Sequence, residues 1–370
     1  MYAAFMRRAT LRILRLLVVL TACSLFGTTA RSQQQLRSAA NFDFLDTQSH
    51  CCEQPAWITL AFTSDNTIAV SRCVGYCSLY LIHWDGQSLH LFAKTATEQG
   101  ALSIFPADQG LILSTGPSKP LILYSTGLTT SHDLPLPISM FSATGRTAAA
   151  RTGKKWSVYR FDGALHPVLD GTGSLQSISD DTLVMQDADV VKVKTLEGEG
   201  LGSFTIPTKS GCPNEVKIIG RDRLYLNDCG NERIADYSGT IISQLTPPHG
   251  CCSSDDQWAE DGQRLLFNYR ARKVFFLRNF GEVLGMFATL GMSGEEWPNR
   301  EVVQVVDPRN RMACLRWQTE FPKANDSVLG KNAAISHSGQ LVAIATRNLL
   351  SIYRLPSDCQ SQGRSASAVP

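Results

Sequence analysis

One pattern recurs along this 370-residue chain and constrains its fold more than any single motif. A short β-rich run ends on an apolar residue, a polar turn with Ser, Asp or Gly follows, and a second apolar run comes next. A third run, often aromatic, is closed by Asp-Gly or Gly. The first copy reads WITLAFTSDNTIAVSRC, SLYLIHWDG and SLHLFAK; others read ISMFSATGRTAAARTG with WSVYRFDG, and NAAISHSGQLVAIATR with LLSIYRLP. The apolar residue before each first turn falls at Phe62, Phe105, Phe141, Ile178, Ile219, Trp258, Val305 and Ile335, giving spacings of 43, 36, 37, 41, 39, 47 and 30. Most lie near the roughly 40 to 45 residues of a four-stranded propeller blade.

That period has a physical reason. A lone four-stranded meander cannot bury both faces, whereas blades packed around an axis cover one another and leave only short edges. Runs such as TIAVS, VVKVK, RLLFNY and KVFFL are β-branched or aromatic and bounded by turns, and no stretch sustains a helical apolar period. The expectation is an all-β propeller over residues 42–356, with eight blades favoured and seven as the close alternative. The last copy runs out of chain after its third strand. Phe42 to Asp46 (FDFLD) is expected to supply the missing outer strand and close the ring by pairing the two chain ends.

The final copy, Ala334 to Leu355, resembles a blade of the WD40 and TolB-like propeller superfamily, with Ser336-His337-Ser338-Gly339 as its turn and Ile352-Tyr353-Arg354-Leu355 as its third strand. The Trp-Asp dipeptide that closes many WD40 blades occurs once, at Trp84-Asp85. The resemblance implies an architecture and no particular activity.

The N-terminus is read separately. Basic MYAAFMRRATLRILR precedes an apolar run from Leu16 to Phe26, the n- and h-regions of an export signal over residues 1–32. Two processing routes stay open. Small residues around Ala30 and Ser32 suit a signal peptidase, while Leu20-Thr21-Ala22-Cys23 resembles a lipobox that would place a lipid on Cys23. Residues 33–41 form a polar lead and 357–370 a polar tail, both expected to be disordered. Removing the leader takes five of the 35 basic residues and no acid, leaving 30 against 33 and a formal charge near −3. A nucleic-acid partner needs clustered Lys and Arg, so that class is set aside.

Eleven cysteines, ten of them after Cys23, suggest disulfides in an oxidising compartment. Cys212 and Cys229 flank a hairpin whose midpoint is Gly220-Arg221, and register pairs them. By the same logic Cys51 and Cys52 have Cys73 and Cys77 as nearest candidates; Cys251 and Cys252 have no such partners within their own copy, which leaves Cys314 and Cys359 as candidate mates, with a strained vicinal Cys251–Cys252 bridge as the alternative. A zinc site at Cys51, Cys52, Cys73 and Cys77 beside His50 lacks the usual CxxC spacing, so no metal is expected.

No catalytic signature emerges, and no cofactor is expected. His83, His90, His132, His166 and His337 are scattered, EGEGLG is a turn and not a phosphate cradle, and no Gly-x-Ser-x-Gly elbow exists. Asp180-Asp181, Asp255-Asp256 and Glu260-Asp261 read as solvated turn residues. The favoured expectation is a monomeric, disulfide-stabilised envelope or secreted protein that presents a propeller face to a protein, peptide or glycan, touching a membrane only through Cys23. The alternative is an enzyme acting on extracellular glycans or small molecules at the central funnel, as a lyase, hydrolase or quinoprotein-like dehydrogenase; a funnel site built from many blades leaves no local motif.

Overall fold

Alternating apolar runs and tight turns fold into seven antiparallel sheets arranged as consecutive blades. The computed structural model describes residues 37–44, 56–108, 110–116, 119–134, 138–206, 214–228, 231–245, 255–259, 264–271, 300–307, 312–320, 328–357 and 359. Blade 1 comprises Ala56–Ser64, Thr67–Val74, Tyr76–Trp84 and Leu89–Thr97. Blades 2 to 5 follow over residues 103–133, 138–172, 174–205 and 214–244. Blade 6 holds Asp255–Trp258, Leu265–Ala271, Arg300–Asp307 and Met312–Glu320, and blade 7 holds Ala333–Ile335, Leu341–Ala345 and Leu349–Arg354.

Within each blade successive strands pair in order, so the hairpin is the unit of folding. First strands of neighbouring blades lie against one another, as Ala56–Ser64 does against Ser103–Ala107 and Ala333–Ile335, and so surround the axis. The fourth strands of blades 1, 3 and 4 contain no buried residue, whereas Leu341–Ala345 in blade 7 is buried throughout. Continuous burial is what a strand covered on two faces requires.

The core is not one cluster but seven, one at each interface between blades. Leu79 and Leu81 of blade 1 meet Leu111 and Leu113 of blade 2, for instance, and Leu266 and Val303 of blade 6 meet Val342 and Ile344 of blade 7. The last cluster joins blade 7 to blade 1 through Ile352, Leu350, Ile58 and Val70, which closes the ring.

Closure uses the chain ends. Ala40–Asp43 pairs antiparallel with Leu349–Arg354, from Ala40 opposite Ile352 to Asp43 opposite Leu349. The strand begins at Ala40, two residues before the expected boundary, because Ala40 and Phe42 pack on the blade 7/blade 1 cluster. The ring has seven blades, not eight. Val305, read as the anchor of a separate copy, lies in Arg300–Asp307, the third strand of the blade whose first strand ends at Trp258. A 28-residue separation between Ala271 and Arg300 mimicked a new repeat. A further short strand, Val328–Leu329, pairs in parallel with Ala56 and Trp57 and gives blade 1 a fifth member.

The first turns have a common construction. Ser142, Ser179 and Ser336 each follow a first strand, and their hydroxyls accept the backbone N–H of Thr147, Thr182 and Leu341 at 3.1, 3.0 and 3.0 Å. A serine closing its own turn in this way fixes the direction of the second strand. Gly145 in the blade 3 turn combines φ +73° with an approach so close that a Cβ would lie 1.6 Å from the Pro106 carbonyl oxygen of blade 2. Only glycine fits there.

Candidate ligand-binding face

The turns between first and second strands converge at one end of the axis, where they surround a cavity of about 1210 Å³. Asp65, Thr144, Asp180, Arg221, His337 and Ser338 reach it from blades 1, 3, 4, 5 and 7. Several of these groups tie blades together. Thr144 Oγ1 donates to the Asp180 carboxylate, 2.6 and 2.8 Å from its two oxygens. Arg160 donates to the Asp180 carbonyl at 2.5 Å, and its other terminal nitrogen is 3.7 Å from Asp181. The Ser338 N–H donates to Asp65 at 2.8 Å, while His337 Nε2 lies 3.2 Å from the Phe62 carbonyl oxygen. Tyr237 donates to the Arg221 carbonyl at 2.8 Å, and burial pushes its phenol pKa up.

Asp180 is therefore not the solvated turn residue the sequence suggested: its neighbour blade captures it. Asp181 and Asp222 project toward solvent, with side chains 88% and 81% exposed, each within ion-pair distance of an arginine, Arg160 at 3.7 Å and Arg223 at 3.6 Å. Asp65, Asp180, Asp181 and Asp222 line the funnel mouth with Arg221, and Arg160 and Arg223 stand beside Asp181 and Asp222, so the mouth is a polar surface of mixed charge. Turn geometry tells little about this arrangement in advance, because Thr144 and Asp180 are 36 residues apart and meet only when blades pack.

A second set of acids lies at the turns between third and fourth strands. At Trp84-Asp85, the one Trp-Asp dipeptide, Trp84 is buried and Asp85 accepts the N–H groups of Gln87 and Ser88 at 2.8 Å each. These bonds, Ser88's first, and a 2.8 Å contact to His90 hold the Asp85 pKa down at about 2. In blade 3 Asp162 repeats the device: the Ala164 N–H and then His166 lower its pKa. In blade 5 the Ser238 hydroxyl and backbone N–H groups do the same for Asp236. His90 and His166 are thus turn partners, as expected of surface histidines, and no group of three metal-ligating side chains exists among the described residues.

The cysteines divide in two. Cys73 is bonded to Cys77 and Cys314 to Cys359. Neither pair matches the expected partners: Cys73 and Cys77 are directly opposite in the second hairpin of blade 1 and satisfy each other, so they are not mates for Cys51 and Cys52. Cys314, in the fourth strand of blade 6, takes Cys359 from the segment expected to be a loose tail, so that segment is fastened at its start. Cys23, Cys51, Cys52, Cys212, Cys229, Cys251 and Cys252 lie outside the described residues, as do the signal segment and Glu260-Asp261. Trp57 is half-buried against Gly100 and donates its indole N–H to the Ala101 carbonyl at 3.0 Å.

Seven sheets, six of four strands and one of five, with a polar funnel at one end define a seven-bladed β-propeller. No family model and no curated protein sequence matches the chain. Among solved structures it is similar to Hsv2 of Kluyveromyces lactis with loop 6CD replaced by a Gly-Ser linker, at 12% identity over 83% of this chain and 95% of that one, with a TM-score of 0.49. It is similar also to Hsv2 of Kluyveromyces marxianus, at 10% identity over 84% and 95%, TM-score 0.49, and to the C-terminal WD40 domain of Sif2, at 11% identity over 87% and 99%, TM-score 0.46. At these scores the likeness adds no functional argument, and the blade count rests on the chain's own strand register.

Proposed function

We propose that the chain is an exported, disulfide-stapled propeller that acts without catalysis, holding a protein or peptide partner at its funnel mouth. The observation that carries this reading is the funnel itself: a cavity of about 1210 Å³ whose polar wall is cross-tied from blade to blade, with the exposed Asp181 and Asp222 at its rim. A wall so fixed loses little freedom when a ligand arrives, which favours binding. Export is supported by the basic and apolar leader and by disulfide usage, since such bonds persist in oxidising compartments.

The test is photo-crosslinking in the native host, with a photoreactive residue at Asp222 and, as control, at Val168 on the outer strand of blade 3. The expected result is a discrete adduct from position 222 that disappears when Asp181 is changed to Lys. No adduct at 222, or turnover of a glycan or small molecule that D181K and D222K abolish, would overturn the reading. N-terminal mass analysis of the same material reports the address: a terminus near Ala30 or Ser32 means free export, and a diacylated Cys23 means anchoring.

A further inference from the structure

We infer that the opposite face carries a second docking groove, between blades 1 and 2, built to take a basic side chain from an extended segment of a partner protein. This rests on the reading of the chain as a binding module and adds a site that the funnel does not supply.

The groove arises from unequal strands. The third and fourth strands of blade 1 are nine residues each, while those of blade 2, Ile122–Ser125 and Ser131–Asp133, are four and three. The shorter blade cannot cover its neighbour's flank. A cleft of about 610 Å³ remains, lined by Ala96–Gln99 of blade 1 and by blade 2 residues that include Leu113, Ile122 and Tyr124. It lies at the end where second strands finish and third strands begin, away from the funnel mouth.

Its chemistry is that of a cation with an apolar stem. Leu113 and Tyr124 are buried and form the floor with Ile122. Glu98 and Asp133 line the wall, and neither makes a hydrogen bond or ion pair to a described residue, whereas Asp85, Asp162 and Asp236 are all committed to turns. Lys119, the one described Lys or Arg in the lining, donates to Gln99. The cleft therefore sets two carboxyl groups without a side-chain partner among the described residues beside the engaged Lys119 and His132. Arginine and lysine lay their methylene stems on apolar surface and keep the charge at its edge, which matches a floor of Leu113 and Ile122 below Glu98 and Asp133. Beside the cleft, Tyr76 is 50% exposed on the hairpin that Cys73–Cys77 clamps; one residue beyond the pair Cys77–Thr97 come Tyr76 on one strand and Glu98 on the other. An aromatic held rigid at the edge of a charged groove is a common interface anchor.

Methyl NMR of the full mature chain tests this with two reporters, Ile122 in the groove and Ile178 at the funnel. The probe is the blocked peptide acetyl-Gly-Leu-Arg-Leu-Gly-amide, compared with its citrulline counterpart. Saturable movement of Ile122 by the arginine peptide is expected, weakened up to about fivefold by citrulline or by the E98Q/D133N double variant, the scale of one lost ion pair. The Ile178 signal of the double variant shows that the ring stays folded. Equal binding of the citrulline peptide, indifference to E98Q/D133N, or no movement of Ile122 would overturn the groove. Movement of Ile178 alone would also overturn it while leaving the funnel reading in place, and a failure of the crosslink at Asp222 would strike that reading separately.

Discussion

The ring divides into two arcs that are held together in different ways. Blades 2 to 5, residues 103–244, are a regular arc in which each blade follows its predecessor and local devices repeat: the serine-closed first turn and the aspartate-closed third turn. Blades 6, 7 and 1 form a closing arc that depends on contacts between distant residues. Ala40–Asp43 completes blade 7, Val328–Leu329 joins blade 1, and Arg72 donates to the Arg347 carbonyl at 2.9 Å beneath the ring of Phe44. Arg264 of blade 6 donates to the carbonyls of Gly339 and Pro356 at 2.6 and 2.5 Å. Asn268 donates to Asn332, whose own amide donates to the Ala345 carbonyl, all buried. Both arcs use ties between blades, as Thr144 to Asp180 shows in the regular one, but joining the first blade to the last draws its partners from opposite ends of the chain.

If that is right, equivalent changes should cost more in the closing arc. Phe44 is 1% exposed and packs edge-on to Tyr80, so Phe44→Ala should lower unfolding free energy by about 4 kcal/mol, against less than about 0.5 for Val168→Ala on the exposed outer strand of blade 3. Denaturant titration of both variants checks this, and similar losses would erase the distinction. The disulfides come next. Cys314–Cys359 closes a separation of 45 residues and Cys73–Cys77 one of 4, so chain entropy assigns about 4 kcal/mol to the first and about 2 to the second. Paired alanine variants should melt in that order.

A smaller loss is expected at Asn332, which is fully buried. Asn332→Ala strands the Asn268 amide and should cost roughly 2 kcal/mol, compared with about 1 for Ser142→Ala in the regular arc, which removes one turn hydrogen bond. The least effect belongs to a device that both arcs share. Asp85 in blade 1 and Asp162 in blade 3 have carboxyls held below the ordinary value, Asp85 at about 2, by turn N–H groups and a histidine. A depressed carboxylate stabilises the fold above its unfolded value and ceases to do so as pH falls, for Asp85 between about 4 and 2. Carboxyl NMR titration should find both midpoints low; a midpoint near 4 for either would mean its turn bonds are not formed in solution.

The same division governs what the sequence disclosed. In the regular arc the anchors Phe105, Phe141, Ile178 and Ile219 all end or lie in first strands, because the turn signal is local and contiguous. In the closing arc Val305 misled, since Arg300–Asp307 carries the same apolar run and turn although it is a third strand. Pairing of FDFLD with the last strand was legible because a missing fourth strand leaves a gap only the other end can fill. The cysteine partners were not, because proximity along a hairpin competes with proximity across blades: Cys73 is bonded within its own hairpin, and Cys314 to Cys359 beyond the next blade. Site residues were the least visible. The union of Thr144 with Asp180, and the cleft between Glu98 and Asp133, are products of blade packing and strand length, which no short window of residues encodes.

Pairing Ala40 with Ile352 has a consequence for the order of events during synthesis. The strand that emerges first must wait for the one that emerges almost last, some three hundred residues later, before either has a neighbour on that side. Until then a growing chain can stack blades yet cannot become a closed disc, and contacts so remote along the chain form slowly. A polypeptide of this design stays threadable for nearly the whole of its synthesis and locks only when its far end arrives.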